Sequence, residues 1–316
     1  MAVQDDILEL IKEHFPEEAV TASVIAEMKN LSRNTVSHYL NRLVEEGQLN
    51  KIKEKPTKFQ LPNGDVDTKD SFYKIIGYHG SMKSIIKQCK ASVTYPNGIP
   101  LILNGPSGTG KSYIAEAIYK YAKEGKHIED NAPFCVLNCA DYANNPELLS
   151  SVLFGYVKGA FTGAERERRG LLDEANGGFL FLDEVHNLTA ENQEKLFILI
   201  DSGRFRRLGD NENWINTKVR LIMATTEDPR SAMLTTFRRR IPYEVALPKF
   251  ITRPYEERLE LVMRFFVNES KATQCVINVE HGVLEQLARN DYEGNIGELK
   301  NIVKVMVANE LAQSHE

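Results

Sequence analysis

The sequence predicts an α/β fold: a mostly parallel sheet with helices on both faces and a helical region after it, preceded by a small winged helix-turn-helix unit. Three observations carry this reading. Apolar runs, IPLILNG, FCVLN, FLFLDEV and VRLIMATT, alternate with helical stretches, and such alternation produces parallel strands covered on both sides. The octapeptide GPSGTGKS, Gly105 to Ser112, follows the first run and opens a helix over Ser112 to Lys123, which is the setting of a phosphate-binding loop. Before it, residues 1–62 read as three helices and a hairpin.

In that first unit, Ile7, Leu8, Ile11 and Phe15 fall on one helical face. Thr21 can cap a second helix carrying Val24 and Ile25. Ser32 can cap a third, where Val36, Leu40, Leu43 and Val44 keep helical spacing and Gly47 marks the stop. LNKIK, a KPT turn and KFQL then read as a two-stranded hairpin. The order is that of a winged helix. Its third helix exposes Arg33, Asn34, Thr35, Ser37, His38, Asn41 and Arg42, and its wing carries Lys51, Lys53 and Lys58. These are residue types that read grooves and bind phosphates. Charge agrees: residues 1–30 hold two basic and seven acidic side chains, residues 31–61 six basic and three acidic. The unit is read as DNA-binding rather than as a protein-interaction module with a solvated polar face. The polar stretch NGDVDTKDS reads as a linker over 63–71, which leaves 72–250 for the α/β region and 251–316 for the helical region, where PYEERLELVMRFFVNES is the clearest helix.

The totals set limits. A chain of 316 residues with 42% hydrophobic content has room for two or three domains. A net charge of -5 excludes a polybasic nucleic-acid coat. Cys89, Cys135, Cys139 and Cys275 have neither CxxC spacing nor a companion His-x-x-x-His, so they read as small buried hydrophobes in a reducing compartment. No signal peptide opens the sequence, and no apolar run approaches the roughly 18 residues of a membrane span. The expectation is a soluble cytoplasmic protein that engages no membrane.

The chemistry gathers at strand ends. Glycines let a loop wrap an anion with inward-pointing N–H groups. Gly105, Pro106, Ser107, Gly108, Thr109, Gly110, Lys111 and Ser112, with Tyr113 beyond them, are therefore the candidate nucleotide site. Lys111 is expected to reach the β- and γ-phosphates of ATP, and Ser112 to hold Mg²⁺. FLFLDE places Asp183 and Glu184 at a strand's C-terminal edge, where α/β sheets bind ligands. Asp183 suits Mg²⁺ coordination and Glu184 a base for the attacking water. Thr226 ends VRLIMATT and can orient that water or sense the γ-phosphate. Arg238, Arg239 and Arg240 suit an arginine finger supplied to a neighbouring subunit.

One hexapeptide resists a structural explanation. GAFTGA, Gly159 to Ala164, sets Phe161 among small residues on a tip where a core gains little. With its flank, LFGYVKGAFTGA, it resembles the signature of the AAA+ ATPase domains of bacterial sigma-54 activators, the enhancer-binding proteins. GLLDEANGGFLFLDEVHNL, QEKLFILIDSGRFRRLG and VRLIMATT continue the similarity over roughly residues 72–316. FYKIIGYHGSMKSIIKQCKASVTYPNGIPLIL, FRRRIPYEVALP and YEGNIGELKN are similar to the levan-operon-regulator branch, whose winged helix is N-terminal and whose members control sugar phosphotransferase-system operons.

The resemblance implies an AAA+ P-loop ATPase with an α-helical lid. It implies a homo-hexameric ring on upstream enhancer DNA that remodels sigma-54 RNA polymerase through the GAFTGA loop. Phe161 and Thr162 would touch sigma-54, with Gly159 and Gly163 as hinges and Ala160 and Ala164 completing the contact. Asn138 would hold Glu184 until nucleotide is sensed. Ile75, Ile76 and Gly77 would line the adenine pocket. Two departures stand out. Thr226 replaces the usual sensor Asn, and Gly297 in YEGNIGEL replaces the lid arginine that reads the nucleotide. FRRRIP also replaces the commoner finger motif, which favours Arg238 and Arg240 over Arg239. The alternatives are a nucleotide-gated DNA-binding switch, suggested by Gly297, and a DNA motor, which leaves GAFTGA unexplained.

Overall fold

The computed structural model of the protein describes residues 3–15, 19–46, 48–52, 56–60 and 70–313. The chain divides into two compact units, Met1–Lys69 and Asp70–Glu316.

The first unit runs α1 (Val3–His14), β1 (Val20–Thr21), α2 (Ala22–Lys29), α3 (Arg33–Glu45), β2 (Asn50–Ile52) and β3 (Lys58–Gln60). Ile7, Ile11, Ile25, Val36, Leu40 and Phe59 form its core. Ser32 caps α3 by accepting the Thr35 N–H at 3.1 Å. Thr21 occupies the N-cap position of α2 but makes no side-chain cap bond. It belongs instead to a third strand, in the order β1-β3-β2, with Val20 opposite Phe59. Two residues are too few to show an alternation, so the sequence yields only the hairpin. Val24 is exposed while Ile25 is buried. The expected stop at Gly47 and the wing residue Lys53 lie outside the described residues.

The expected linker also lies outside them, except at its end, which is already built into the second unit. Asp70 pairs with Lys90 at 2.7 Å, and Ser71 donates from N and Oγ to the Glu124 carboxylate at 2.9 and 2.6 Å.

The second unit begins with α4 (Lys83–Thr94), β4 (Leu101–Asn104), α5 (Lys111–Glu124) and β5 (Phe134–Asn138). Next come α6 (Pro146–Phe154), α7 (Leu171–Glu174), β6 (Phe179–Asp183) and α8 (Ala190–Ser202), then the short pair β7 (Arg204–Phe205) and β8 (Ile215–Asn216). The α/β part closes with β9 (Arg220–Thr225), α9 (Pro229–Ala232), α10 (Thr235–Arg238) and β10 (Tyr243–Ala246). The lid is α11 (Tyr255–Thr273), α12 (His281–Arg289) and α13 (Asn295–Gln313).

Five parallel strands form one sheet in the order β10-β4-β9-β6-β5. Successive side chains of a strand face opposite ways. Accordingly Leu101, Leu103, Phe179, Phe181, Ile222 and Ala224 enter the core on one face, and Ile102, Leu180, Leu182, Leu221 and Met223 enter the other. Burial on both faces is why these strands read as continuous apolar runs. The edge strand β10 exposes Glu244 and Ala246 and gives no such run, so the sequence does not announce it. The lid has its own core of Leu261, Val262, Phe266, Leu299 and Val303.

All four cysteines are free. Burial pushes the Cys89 and Cys139 thiols up to about 12. Cys275 is exposed, contrary to the expectation of burial, because it follows the end of α11. Among the described residues no helix is long and apolar enough to cross a membrane.

Candidate functional site

The site lies at the C-terminal edge of the sheet. Register fixes it: Asn104 pairs with Thr225, and Asn138 with Asp183, so the loops after four strands open along one edge. The P-loop turns out of β4 with positive φ at Gly105, Gly108 and Gly110. Gly108 is constrained twice, because its φ is +74° and an added Cβ would run into the Gly294 carbonyl. Thr109 is buried and its Oγ1 donates to Pro106 O at 2.9 Å. Lys111 begins α5, is only 7% exposed, and donates from Nζ to Gly105 O at 2.7 Å and Pro106 O at 3.1 Å. Burial lowers its pKa, against the pull of Glu184 and Asp183. A desolvated ammonium facing two carboxylates suits an anion with its own counter-cation.

Asp183 ends β6, and burial raises its carboxyl pKa against the Glu184 N–H that its Oδ1 accepts at 2.9 Å. Asp183 and the exposed Ser112 both offer oxygen donors, the type a hard divalent cation takes beside phosphates. Among the described residues no cluster of three or more His, Cys, Asp and Glu offers a rival metal site.

Glu184 is a non-glycine residue at φ +48°, a strained conformation of the kind that collects at active sites. Its Oε2 accepts from Thr226 Oγ1 at 2.9 Å and Thr226 N at 3.3 Å. His186 Nδ1 stands 3.4 Å from the same oxygen and 3.0 Å from Thr225 Oγ1. Asn138 does not hold Glu184. Its Nδ2 donates to Asp141 at 3.1 Å and its Oδ1 accepts the Ala140 N–H at 3.1 Å, because a 3-10 turn starts at Cys139 and takes Asn138 as its cap. The side chain that holds Glu184 is thus Thr226 and not Asn138. His186 was missed by sequence reasoning, although its place two residues after Glu184 was a signal.

The apolar strip expected for adenine is core. Ile75 packs into the α/β core and Ile76 into the lid core, while Gly77, at φ +84°, lies against the Glu257 carboxylate. Tyr113 is exposed on α5. Gly297 stands beside the P-loop, where its N–H donates to Gly108 O at 3.1 Å.

Of the three arginines, Arg240 is engaged within the chain. Its Nη1 donates to Thr236 O at 2.8 Å, its Nε lies 3.4 Å from Asp201, and its guanidinium covers the Phe197 ring at 4.0 Å. Arg238 and Arg239 have no side-chain hydrogen bond or ion pair to the described residues, and Arg239 is exposed. Of the three, Arg240 is thus the one already engaged within the chain, and Arg239 the most exposed.

GAFTGA forms a loop with a pinned base. Tyr156 exchanges backbone hydrogen bonds with Arg168, both at 2.9 Å, and Val157 N donates to Leu208 O at 3.1 Å. Gly159 N closes the turn on Ala164 O at 2.8 Å. Gly159 and Gly163 adopt φ of +83° and +96° with nothing within 4 Å of an added Cβ, so conformation and not crowding calls for glycine. Phe161 is 48% exposed, with its ring edge-on to Tyr156 at 4.9 Å. It is not a core anchor. Thr162 is exposed, Ala160 half-buried and Ala164 buried.

In the first unit Arg33, Asn34, Thr35, His38, Arg42 and Lys51 are exposed, and Ser37, Asn41 and Lys58 are half-buried. Lys51 Nζ donates to Asn41 Oδ1 at 2.7 Å, tying the hairpin to α3. Arg42 pairs with Glu46 at 3.2 Å.

The "Sigma-54 interaction domain" family matches residues 75–249. The transcriptional regulatory protein LevR of Bacillus subtilis is 39% identical over 91% of this chain, and DagR of Salmonella typhimurium 38% identical over 92%, in each case across 34% of the relative's own length. The chain therefore spans about a third of the length of these relatives. A crystal structure of NtrX from Brucella abortus in complex with ATP has a TM-score of 0.60 at 22% identity, covering 94% of this chain and 64% of that one, which is a likeness of fold. The chain belongs to the sigma-54 interaction domain family of AAA+ transcriptional regulators, in its LevR-like branch.

Proposed function

We propose that this chain is the ATP-driven engine of a sigma-54-dependent transcription activator in the bacterial cytoplasm. The observation that carries the reading is the exposed Phe161 on a loop with a pinned base, within a matched sigma-54 interaction domain. The first unit binds upstream DNA through α3 and the hairpin. The second assembles into a homo-hexameric ring, and the regulated genes serve uptake of a sugar through a phosphotransferase system, as the likeness to LevR suggests.

The P-loop N–H groups and Lys111 bind the phosphates of ATP. Lys111 exchanges its loop carbonyls for phosphate oxygens, a stronger charge-assisted pairing. Ser112 and Asp183 would hold Mg²⁺ brought with the nucleotide, which would supply charge neutralisation at the phosphates. Glu184 takes a proton from water at a carboxylate oxygen while that water attacks the γ-phosphorus and the bond to the bridging oxygen of ADP breaks. Thr226 orients Glu184. Arg239, from a neighbouring subunit, meets the charge developing on the γ-phosphoryl group, with Arg238 beside it. The hydrolysis cycle moves the GAFTGA loop against sigma-54 RNA polymerase.

Turnover tests this division of labour. ATP hydrolysis per chain rises with protein concentration as the ring forms. Arg239→Ala abolishes that rise, with a loss of about 10³-fold in keeping with other trans arginines, and leaves nucleotide affinity intact. Turnover independent of concentration contradicts the ring.

A further inference from the structure

The lid reaches the P-loop without an arginine. Asn295, the first residue of α13, is 3% exposed and sits at φ +50°. That conformation is open mainly to Gly and Asn. Its Nδ2 donates to Ser107 O at 2.9 Å and to Glu293 O at 3.3 Å. Its Oδ1 accepts the Phe250 N–H at 3.2 Å. Two residues on, Gly297 N donates to Gly108 O at 3.1 Å. Glu298 closes the same turn by accepting the Gly294 N–H at 2.7 Å.

A peptide unit is planar, so a carbonyl turns together with the N–H of the next residue. The Ser107 carbonyl shares its plane with Gly108 N–H, and the Gly108 carbonyl with Thr109 N–H. Asn295 and Gly297 thus grip from outside two of the loop peptides whose N–H groups serve an anion inside. Any rotation of those peptides on phosphate binding strains or relaxes the two bonds to α13. On the loop side the contact leaves no room for a side chain: a Cβ added at Gly108 would strike Gly294 O, whereas one at Gly297 would meet Gly108 Cα at an ordinary contact distance of 3.4 Å.

We infer that Asn295 is a positioning residue that couples the P-loop to the lid, so that in this chain the lid senses phosphate through the loop's own carbonyls and not through a cation on α13. The inference rests on the nucleotide reading above. Asn295 acts on the loop and not on the reacting atoms.

Two variants and one measurement on the unaltered chain test it. Asn295→Asp keeps the acceptor for Phe250 N–H but cannot donate to Ser107 O. Asn295→Gly keeps the left-handed backbone and removes every side-chain bond. Binding of N-methylanthraniloyl-ADP with magnesium is titrated, and amide hydrogen exchange is followed with and without it. In the unaltered chain the nucleotide slows exchange of the Gly297 amide and the first turn of α13. In both variants affinity falls about tenfold, as for loss of one hydrogen bond to a buried group. The nucleotide-dependent protection of α13 vanishes, while β4, β6 and β9 stay as protected as before. Variants that bind and protect like the unaltered chain overturn the coupling. So does an unaltered chain that binds nucleotide without slowing Gly297, a result that needs no variant. If the unaltered chain and Lys111→Ala both fail to bind, the nucleotide reading itself falls, and that pattern is distinct from the other two.

Discussion

Glu184 shows how far single residues can be read. Its place after β6 and its acidity were legible in FLFLDE, because a sheet's C-terminal edge collects ligands whatever surrounds it. Its partner was not. Asn138 and Thr226 are both short polar side chains at strand ends, and what separates them is the 3-10 turn at Cys139 that absorbs both polar ends of Asn138. Such local competition for a side chain leaves little trace in sequence. The contacts of Arg240 with Asp201 and Phe197 are illegible for the same reason. If Thr226 Oγ1 orients Glu184, then Thr226→Val lowers kcat about tenfold, the worth of one hydrogen bond to a charged group, with KM for ATP little changed. Thr226→Ser restores the rate. Steady-state kinetics of the two variants decide it, and a Val variant with the unaltered kcat contradicts the role.

At the scale of elements, long two-faced strands were the clearest. β4, β6 and β9 announce themselves as apolar runs because both faces are buried. The failures are short or peripheral. β1 has two residues and β7 and β8 two each, too few for any period, and the edge strand β10 alternates buried and exposed over only four. The helix α3 was read from its Ser32 cap and its apolar spacing, and the structure gives it an exposed face of Arg33, Asn34, Thr35, His38 and Arg42. In the proposed function this face meets DNA. Arg33→Ala weakens binding on every sequence and reduces the slope of log affinity against log salt by about one, as for one lost phosphate contact. Fluorescence anisotropy across a salt series measures it. A slope unchanged within error removes Arg33 from the DNA face.

At the scale of the whole chain, the sequence joins three kinds of part: a small helical unit proposed to bind DNA, a candidate nucleotide site at a sheet edge, and a loop whose aromatic tip is exposed. GAFTGA marks the loop, but only the structure shows its base pinned by Tyr156, Arg168 and Leu208. Contacts of the lid with the P-loop were illegible, because they run through backbone groups and through Asn295, a residue type common in turns. In the proposed function, ATP hydrolysis is spent on sigma-54 RNA polymerase through that loop. The most direct test is open-complex formation at a sigma-54 promoter with ATP, for the unaltered chain and Thr162→Ala, with ATP turnover recorded in both. The unaltered chain is expected to open the promoter, while Thr162→Ala hydrolyses ATP at a comparable rate and does not. ATP turnover by both with no promoter opened by either would contradict the proposed function.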